Sequence, residues 1–512
     1  MTGKNLIAGR WESTEHPVTF QTVDPKSNIP LPTVFQEATQ SQIESAVEEA
    51  AYCAPEMAQW SSLKKANFLS AIKAELEANS TEIIEIYQSE SGLPEGRAKG
   101  EMQRTLDQIE RFVELLQEGS FVQPTLHTSG PDLRKMLQPI GPVVVFGASN
   151  FPLAFSTAGG DTISALAAGC PVLVKAHPFH AGTSELVAQA IAKVIETSNL
   201  PKGVFSHLGG QSHAVGSQLV SHPLLKGVGF TGSFKGGKAL YDCAQKRKNP
   251  IPVFAEMGSV NPVFVLQNRL ESDENLPSAL AQSLTLGTGQ FCTNPGLIVI
   301  CDPESKTNFG AALAKQVNEL QLPPMVHASI QNQYDFQVES LKTNSALTAL
   351  YFSAQCSAAI GVTTATNFLK HSMLAEEVFG PFTLVVECVS VEEMKTVATH
   401  LEGQLTATLL GNDKDQKDLA VLLPWVQEKV GRLLFEGVPT GVAVTQAMHH
   451  GGPYPATTDS RYTSVGTDAI YRWLRPVSYQ DCPQKLLPAA LQNENPLRLL
   501  RNVNGTLTAD VL

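Results

Sequence analysis

Apolar positions along the chain fall into stretches with different rhythms. Residues 41–118 are rich in Ala, Glu, Leu and Lys, and over 61–79 the apolar positions Leu63, Ala66, Leu69, Ile72 and Leu76 recur at helical intervals. A looser stretch with Pro, Thr, Gly and Ser follows at 123–131. From Pro142 to about Met257 the rhythm changes to strand, turn and helix. Strands are predicted at 143–146, 172–175, 204–208, 227–230 and 253–255, with helices at 152–168 and 183–198. A second alternating region begins near Pro262 and runs to about Phe435. The tail, 472–512, carries Pro476, Pro483 and Pro488 and reads as an extended arm. Alternating strands and helices predict an α/β fold with a parallel sheet covered on both faces. Such sheets bind ligands at the carboxyl ends of their strands.

At 512 residues the chain exceeds one ordinary core, so two or three domains are expected. Hydrophobic residues at 43% and charged residues at 17% describe a folded globular protein. A net charge of -12 argues against a nucleic-acid partner, which needs a basic face. Apolar windows such as 142–146 and 297–300 are too short to span a bilayer, and the first residues contain no apolar core of signal-peptide length. The eight cysteines, Cys53, Cys170, Cys243, Cys292, Cys301, Cys356, Cys388 and Cys482, are scattered without a C-x-x-C pair. That spacing suits reduced thiols in a cytoplasm better than disulfides or a zinc site.

Five short motifs carry candidate chemistry. Gly287, Gly289 and Cys292 form a glycine-rich loop presenting one thiol; its plain alternative is an inert buried cysteine. Glu256 ends an apolar strand, where a carboxyl with a raised pKa could act as general base, or could be an ordinary strand-end acid. Asn150, between the first strand and its helix, could donate to an oxyanion or cap the helix. Gly227, Gly229 and Gly232 match G-x-G-x-x-G literally, but the first two fall inside a strand. The turn at Gly232 and Ser233, opening a helix, is the better phosphate cradle. Glu377 and Phe379 join an acid and an aromatic at a turn, suited to ribose hydroxyls and a nicotinamide or to a plain surface turn.

Taken together and in order, Asn150, Lys175, Ser233, Glu256, Cys292 and the pair Glu377 and Phe379 resemble the aldehyde dehydrogenase superfamily, as does the N-terminal run 7–11. The resemblance implies the roles in turn: oxyanion amide, adenosine-ribose lysine, pyrophosphate serine, general base, nucleophile and nicotinamide-ribose clamp. It places Phe146, Gly232 and Pro178 with the cofactor residues and calls for no metal. It also implies a Rossmann-like NAD(P)-binding domain over 1–122 and 141–257, a catalytic domain over 258–471, and an oligomerisation arm from 123–140 and 472–512. A homodimer or homotetramer follows.

Departures from the family pattern narrow the branch. Pro178 stands where NAD-preferring relatives carry a Glu, which predicts NADP as coenzyme, with NAD accepted. The runs 155–162 and 449–461 look like the α-ketoglutaric semialdehyde (2,5-dioxovalerate) dehydrogenases and the NADP-dependent fatty aldehyde dehydrogenase of luminous bacteria. A ketoacid semialdehyde needs a cationic anchor, for which Arg104 and Arg461 are candidates, each of which could instead be a surface ion pair. Phe155 joins them as a substrate candidate. His450 could tune the thiol, position cofactor, or simply pack in its loop. The rival readings are a coenzyme A-acylating enzyme and a glutamate-phosphate reductase relative, both disfavoured by Glu256. A catalytically silent homologue is disfavoured by the intact set of Cys292, Glu256 and Asn150.

Overall fold

The computed structural model describes residues 1–304, 307–353 and 357–512; Cys356 lies outside the described residues. The predicted helix at 61–79 is present as Ser62–Ala78. The Ser61 side chain accepts the Lys64 N–H as its N-cap, and Ala66, Leu69, Ile72 and Leu76 form the buried face. Leu63 was expected on that face but is exposed in the first turn. The helix Glu95–Glu118 packs against it through an apolar stripe including Ala98, Met102, Leu106 and Ile109, and ends at left-handed Gly119.

The first sheet has seven strands in the order Val253–Glu256, Gly227–Thr231, Val143–Phe146, Val172–Lys175, Phe205–Leu208, Asn5–Ile7 and Arg10–Glu12. Its first five strands are parallel and the last two pair antiparallel. Val143 and Val145 enter one core cluster while Val144 and Phe146 enter the other, so both faces are covered. Each such Val contributes about 2 kcal/mol by burial. Register puts Phe146 opposite Lys175 and Phe230, and Thr231 opposite Glu256. The candidates Phe146 and Lys175 therefore sit on one level at the carboxyl edge, with Glu256 one residue beyond it.

The helix predicted at 152–168 begins only at Gly160. The buried Glu101 carboxylate accepts the backbone N–H groups of Leu153 (2.8 Å) and Ala154 (3.0 Å), which holds residues 151–159 in turns outside the helix.

The second sheet, drawn from 263–434, has the order Ala349–Phe352, Ala359–Thr364, Phe382–Cys388, Leu297–Cys301, Val263–Val265, Gln404–Leu410 and Val430–Leu434. The Cys292 loop enters it at the start of Leu297–Cys301, hence at the amino edge. Glu256, in contrast, ends a strand of the first sheet. The expectation that all the chemistry lies at carboxyl strand ends therefore holds for Glu256 and not for Cys292. A five-stranded sheet joins Leu474–Gln480, Leu133–Pro139, Thr125–His127, Arg501–Val503 and Thr506–Thr508. The stretch 123–131, expected to be irregular, contributes one of these strands because it pairs with the chain's end. Among the described residues no helix is long and apolar enough to cross a membrane.

Candidate active site

The thiol loop is held by left-handed backbone of the kind that favours glycine. Gly287, Thr288 and Gly289 are consecutive left-handed positions, with φ of 56°, 59° and 69°. A Cβ on Gly289 would lie 2.3 Å from the Gly380 carbonyl, so glycine is required there. Thr288, a β-branched residue in this region, is stored strain, offset in part by its 2.8 Å hydrogen bond to the Pro323 carbonyl. Buried Asn261 donates from Nδ2 to the carbonyls of Cys292 (2.8 Å) and Asn294 (2.9 Å), which fixes the loop's exit. Ser259 and Gln404 brace Asn261 in turn. Neither Asn261 nor Gln404 was found from sequence; the Asn261-Pro262 turn pair was the available signal.

Cys292, Glu256 and His450 converge, with their ligand atoms all within 4.8 Å of one another. Cys292 Sγ is 3.4 Å from His450 Nε2, and His450 Nε2 is 2.9 Å from Glu256 Oε1. The other Glu256 oxygen accepts from the Ser464 hydroxyl. His450 and Glu256 are almost fully buried, whereas Cys292 is partly exposed. Burial, and after it the Glu256 carboxylate, pushes the Cys292 thiol well above its ordinary range; Arg104 acts in the opposite sense. Burial also raises Glu256, but His450 and Ser464 outweigh it, and the carboxyl is held below its ordinary range. The raised pKa expected for Glu256 is thus corrected. A neighbouring imidazole stabilises the carboxylate more than the apolar surroundings penalise it. Three such atoms would also suit a metal ion.

Asn150 is not a helix cap, since no helix begins there. Its Nδ2 donates 2.9 Å to the Gln290 carbonyl, beside the thiol loop, leaving its second amide hydrogen for another acceptor.

A cavity of about 300 Å³ opens on Cys292 and His450 and is walled by Phe151, Phe155, Phe291 and Arg104. Arg104 donates to the Val442 carbonyl, and its guanidinium lies 5.6 Å from the Phe155 ring. Arg97, absent from the sequence reading, lines the same cavity. Arg461 does not reach it. Its side chain is 77% exposed and forks onto Asp459, so the structure assigns it the surface ion pair.

A larger cleft of about 720 Å³ runs along the carboxyl edge of the first sheet, lined by Phe146, Lys175, Pro178, Gly232 and Ser233. Ser233 caps the helix Phe234–Gln245, accepting from the Gly236 N–H at 3.3 Å. Side chains at Gly232 or Gly236 would press on the Phe230 ring, so the turn stays bare. Lys175 donates 2.6 Å to the Gly210 carbonyl, and burial brings its ammonium down to about 8 against the opposing pull of Glu37. A bare helix N-terminus, a lysine and this volume fit a dinucleotide. Glu377 packs on Gly258, where a Cβ would lie 2.3 Å from Oε2, and burial lifts its carboxyl to about 7. Phe379 follows at a half-buried position.

Comparison with known proteins adds three findings. A model of the aldehyde dehydrogenase family matches residues 11–421. Alpha-ketoglutaric semialdehyde dehydrogenase 2 of Azospirillum brasilense is 43% identical, covering 99% of both chains. The alpha-ketoglutaric semialdehyde dehydrogenase of Acinetobacter baylyi is 40% identical with the same coverage. Among solved structures, betaine aldehyde dehydrogenase from Staphylococcus aureus in complex with NAD+ superposes with a TM-score of 0.80 at 17% identity, covering 94% of this chain and 95% of that one.

Proposed function

The chain belongs to the aldehyde dehydrogenase family, an NAD(P)-dependent aldehyde oxidoreductase, and from that premise we propose that it oxidises α-ketoglutaric semialdehyde to 2-oxoglutarate with NADP as the acceptor. One observation carries the reading: the cavity that opens on Cys292 also holds the Arg104 cation, for which no acidic partner lies within ion-pair distance among the described residues. A buried cation is costly alone and favourable beside a carboxylate. The two relatives at 43% and 40% identity bear the same substrate in their names.

Cys292 starts the reaction as a thiol and must lose its proton before it can attack. His450 Nε2 stands between Sγ and the Glu256 carboxylate, so the proton passes to the imidazole and is balanced by Glu256. The thiolate adds to the aldehyde carbon, giving a thiohemiacetal alkoxide. Asn150 and the Cys292 backbone N–H hold that oxygen, at about 3 kcal/mol for each preorganised donor. A bound nicotinamide coenzyme would supply the acceptor for the hydride that leaves the aldehyde carbon. What remains on Cys292 is a thioester. Glu256 then accepts a proton from water as its oxygen adds to the thioester carbon; the C–S bond breaks and releases the acid and the thiolate. Lys175, Ser233, Glu377 and Phe379 hold the coenzyme, and Pro178 leaves no carboxylate at its position to repel a 2'-phosphate. A coenzyme A-acylating reading is weakened by Glu256 standing ready for water, and a silent homologue by the convergence of all three groups.

We place the enzyme in the cytoplasm as a homodimer or homotetramer. Unpaired thiols at Cys53, Cys170, Cys301 and Cys388 suit a reducing compartment, and Leu474–Gln480 leaves an open sheet edge for a second copy.

Steady-state kinetics with NAD and NADP across long-chain aldehydes, succinic semialdehyde and α-ketoglutaric semialdehyde test the proposal. The expected result is the highest kcat/KM for the last with NADP. A long-chain aldehyde in first place overturns the substrate, and tenfold selectivity for NAD overturns the coenzyme.

A further inference from the structure

Arg97 and Arg104 stand seven residues apart on the helix Glu95–Glu118, two turns and so on one face, and both line the cavity beside Cys292. The Arg97 guanidinium lies 4.2 Å from the Phe151 ring centre and 4.5 Å from that of Phe291. Those rings meet edge to face at 5.3 Å, forming a corner in which the guanidinium sits. A guanidinium carries its five N–H donors in its own plane, and Arg97 lines the cavity with part of that edge. Glu101 is the only acid within ion-pair distance of Arg97 among the described residues, and it stands 3.5 Å from Arg97 Nε. Its oxygens already serve Leu153 N–H, Ala154 N–H and, at 2.7 Å, the Tyr87 hydroxyl. Arg97 Nε is buried and finds no hydrogen-bond acceptor among the described residues. The cavity wall therefore carries two cations against one acid, Glu101, whose oxygens also serve three other donors.

We propose that Arg97 is a second specificity-determining cation, which together with Arg104 receives the carboxylate and the adjacent 2-oxo oxygen of a five-carbon aldehyde acid. The inference rests on the dehydrogenase reading above and adds to it the recognition of the 2-oxo acid end. Two in-plane donor edges match the two neighbouring oxygen groups of a 2-oxo acid. A plain ω-carboxylate fills one edge, and an alkanal fills neither, leaving Arg104 without a counter-charge and Arg97 with Glu101 alone.

The test is steady-state kinetics of wild type, Arg97→Met and Arg97→Lys with three five-carbon aldehydes: α-ketoglutaric semialdehyde, glutaric semialdehyde and pentanal. Arg97→Met should lose at least tenfold in kcat/KM for the first, mainly through KM. It should lose less for the second and stay within twofold for pentanal; Arg97→Lys should recover only part. An equal loss on pentanal would mean that Arg97 merely supports Phe151 and Phe291, and overturns the proposal. So does a wild-type enzyme that prefers the 2-oxo acid alongside an Arg97→Met enzyme that keeps the preference, an outcome that leaves the dehydrogenase reading intact. A wild type that oxidises pentanal as well as the acid overturns the substrate reading and the role of Arg97 together.

Discussion

The proposed coenzyme cleft takes most of its walls from one sheet edge, through the segments 146–149, 175–179, 211–217 and 230–240, each the end of a strand or the start of the helix after it, with Ser329 and Ile330 of the helix Ala328–Lys342 added from outside. The cavity beside Cys292 is gathered from the helix Glu95–Glu118, the turns at 151–155, the loop at 286–293 and residues 441–450, which are hundreds of positions apart. Both are walled by three phenylalanine rings, but the cleft adds two lysines and a glycine-bearing turn at 232–236, whereas the cavity adds two guanidiniums and the Cys292 thiol. A strand-end site is specified locally, by where an apolar run stops. A convergent site is specified only by tertiary packing.

The sharpest way to separate the two regions is to remove the sulfur. Cys292→Ala should cut NADPH formation by more than about 10⁴-fold, while coenzyme affinity measured by fluorescence titration stays within twofold, because the cleft does not include that residue. Retained turnover would mean the cavity is not where the chemistry occurs. Glu256→Gln should slow steady-state turnover by about 10²–10⁴-fold, with a stopped-flow burst of NADPH persisting if His450 alone can take the thiol proton. Loss of the burst as well would make Glu256 a partner in thiol activation, not only in hydrolysis.

That difference explains what could be read from sequence. Lys175 and Glu256 were legible because each ends a β-branched or apolar strand, and Ser233 because it opens the helix after one; the register of parallel strands then brings Lys175 and Glu256 within one residue of the same level. Cys292 was legible through its glycines, two of which prove to be left-handed positions. Arg97, Asn261 and Gln404 were not, since an arginine on an amphipathic helix and a buried amide carry no local mark of what faces them. Arg461 shows the converse failure. Its place in the 449–461 motif suggested an anchor, but side-chain direction is not encoded in spacing.

The coenzyme side should also be the acid-sensitive one. His180 and His207, both buried beside the cleft strands, are brought by burial to about 4 and about 3 from 6.5. Their neutral forms are favoured by folding. Stability is therefore fully present above pH 6.5 and is lost as pH falls from 6.5 towards 4 and below, because the unfolded chain takes up protons that the folded chain refuses. The penalty is of order 3 kcal/mol for each histidine at the acid end. Thermal unfolding followed from pH 7 to pH 4.5 should show a falling Tm, with less of a fall in His180→Gln; a flat profile would mean that neither imidazole stays neutral in the fold.

Pro178→Glu probes the cleft without touching the cavity. A carboxylate beside a 2'-phosphate at partly exposed distance should cost NADP about 10–100-fold in kcat/KM and leave NAD within about threefold. An unchanged coenzyme ratio would place the 2'-position elsewhere in the cleft.

The smallest effect is expected at Arg461, and its smallness is informative. Its guanidinium forks onto Asp459 in solvent, outside the cavity lining, and exposed pairs of this kind contribute little. Arg461→Ala should change kcat/KM for α-ketoglutaric semialdehyde by less than twofold, where Arg104→Met should lower it tenfold or more, since Arg104 lines the cavity that opens on Cys292 and Arg461 does not. If the two variants fell together, the carboxylate would have to be bound by both arginines. The 449–461 segment would then swing inward on substrate binding, and the cavity, unlike the cleft, would be completed only by its ligand.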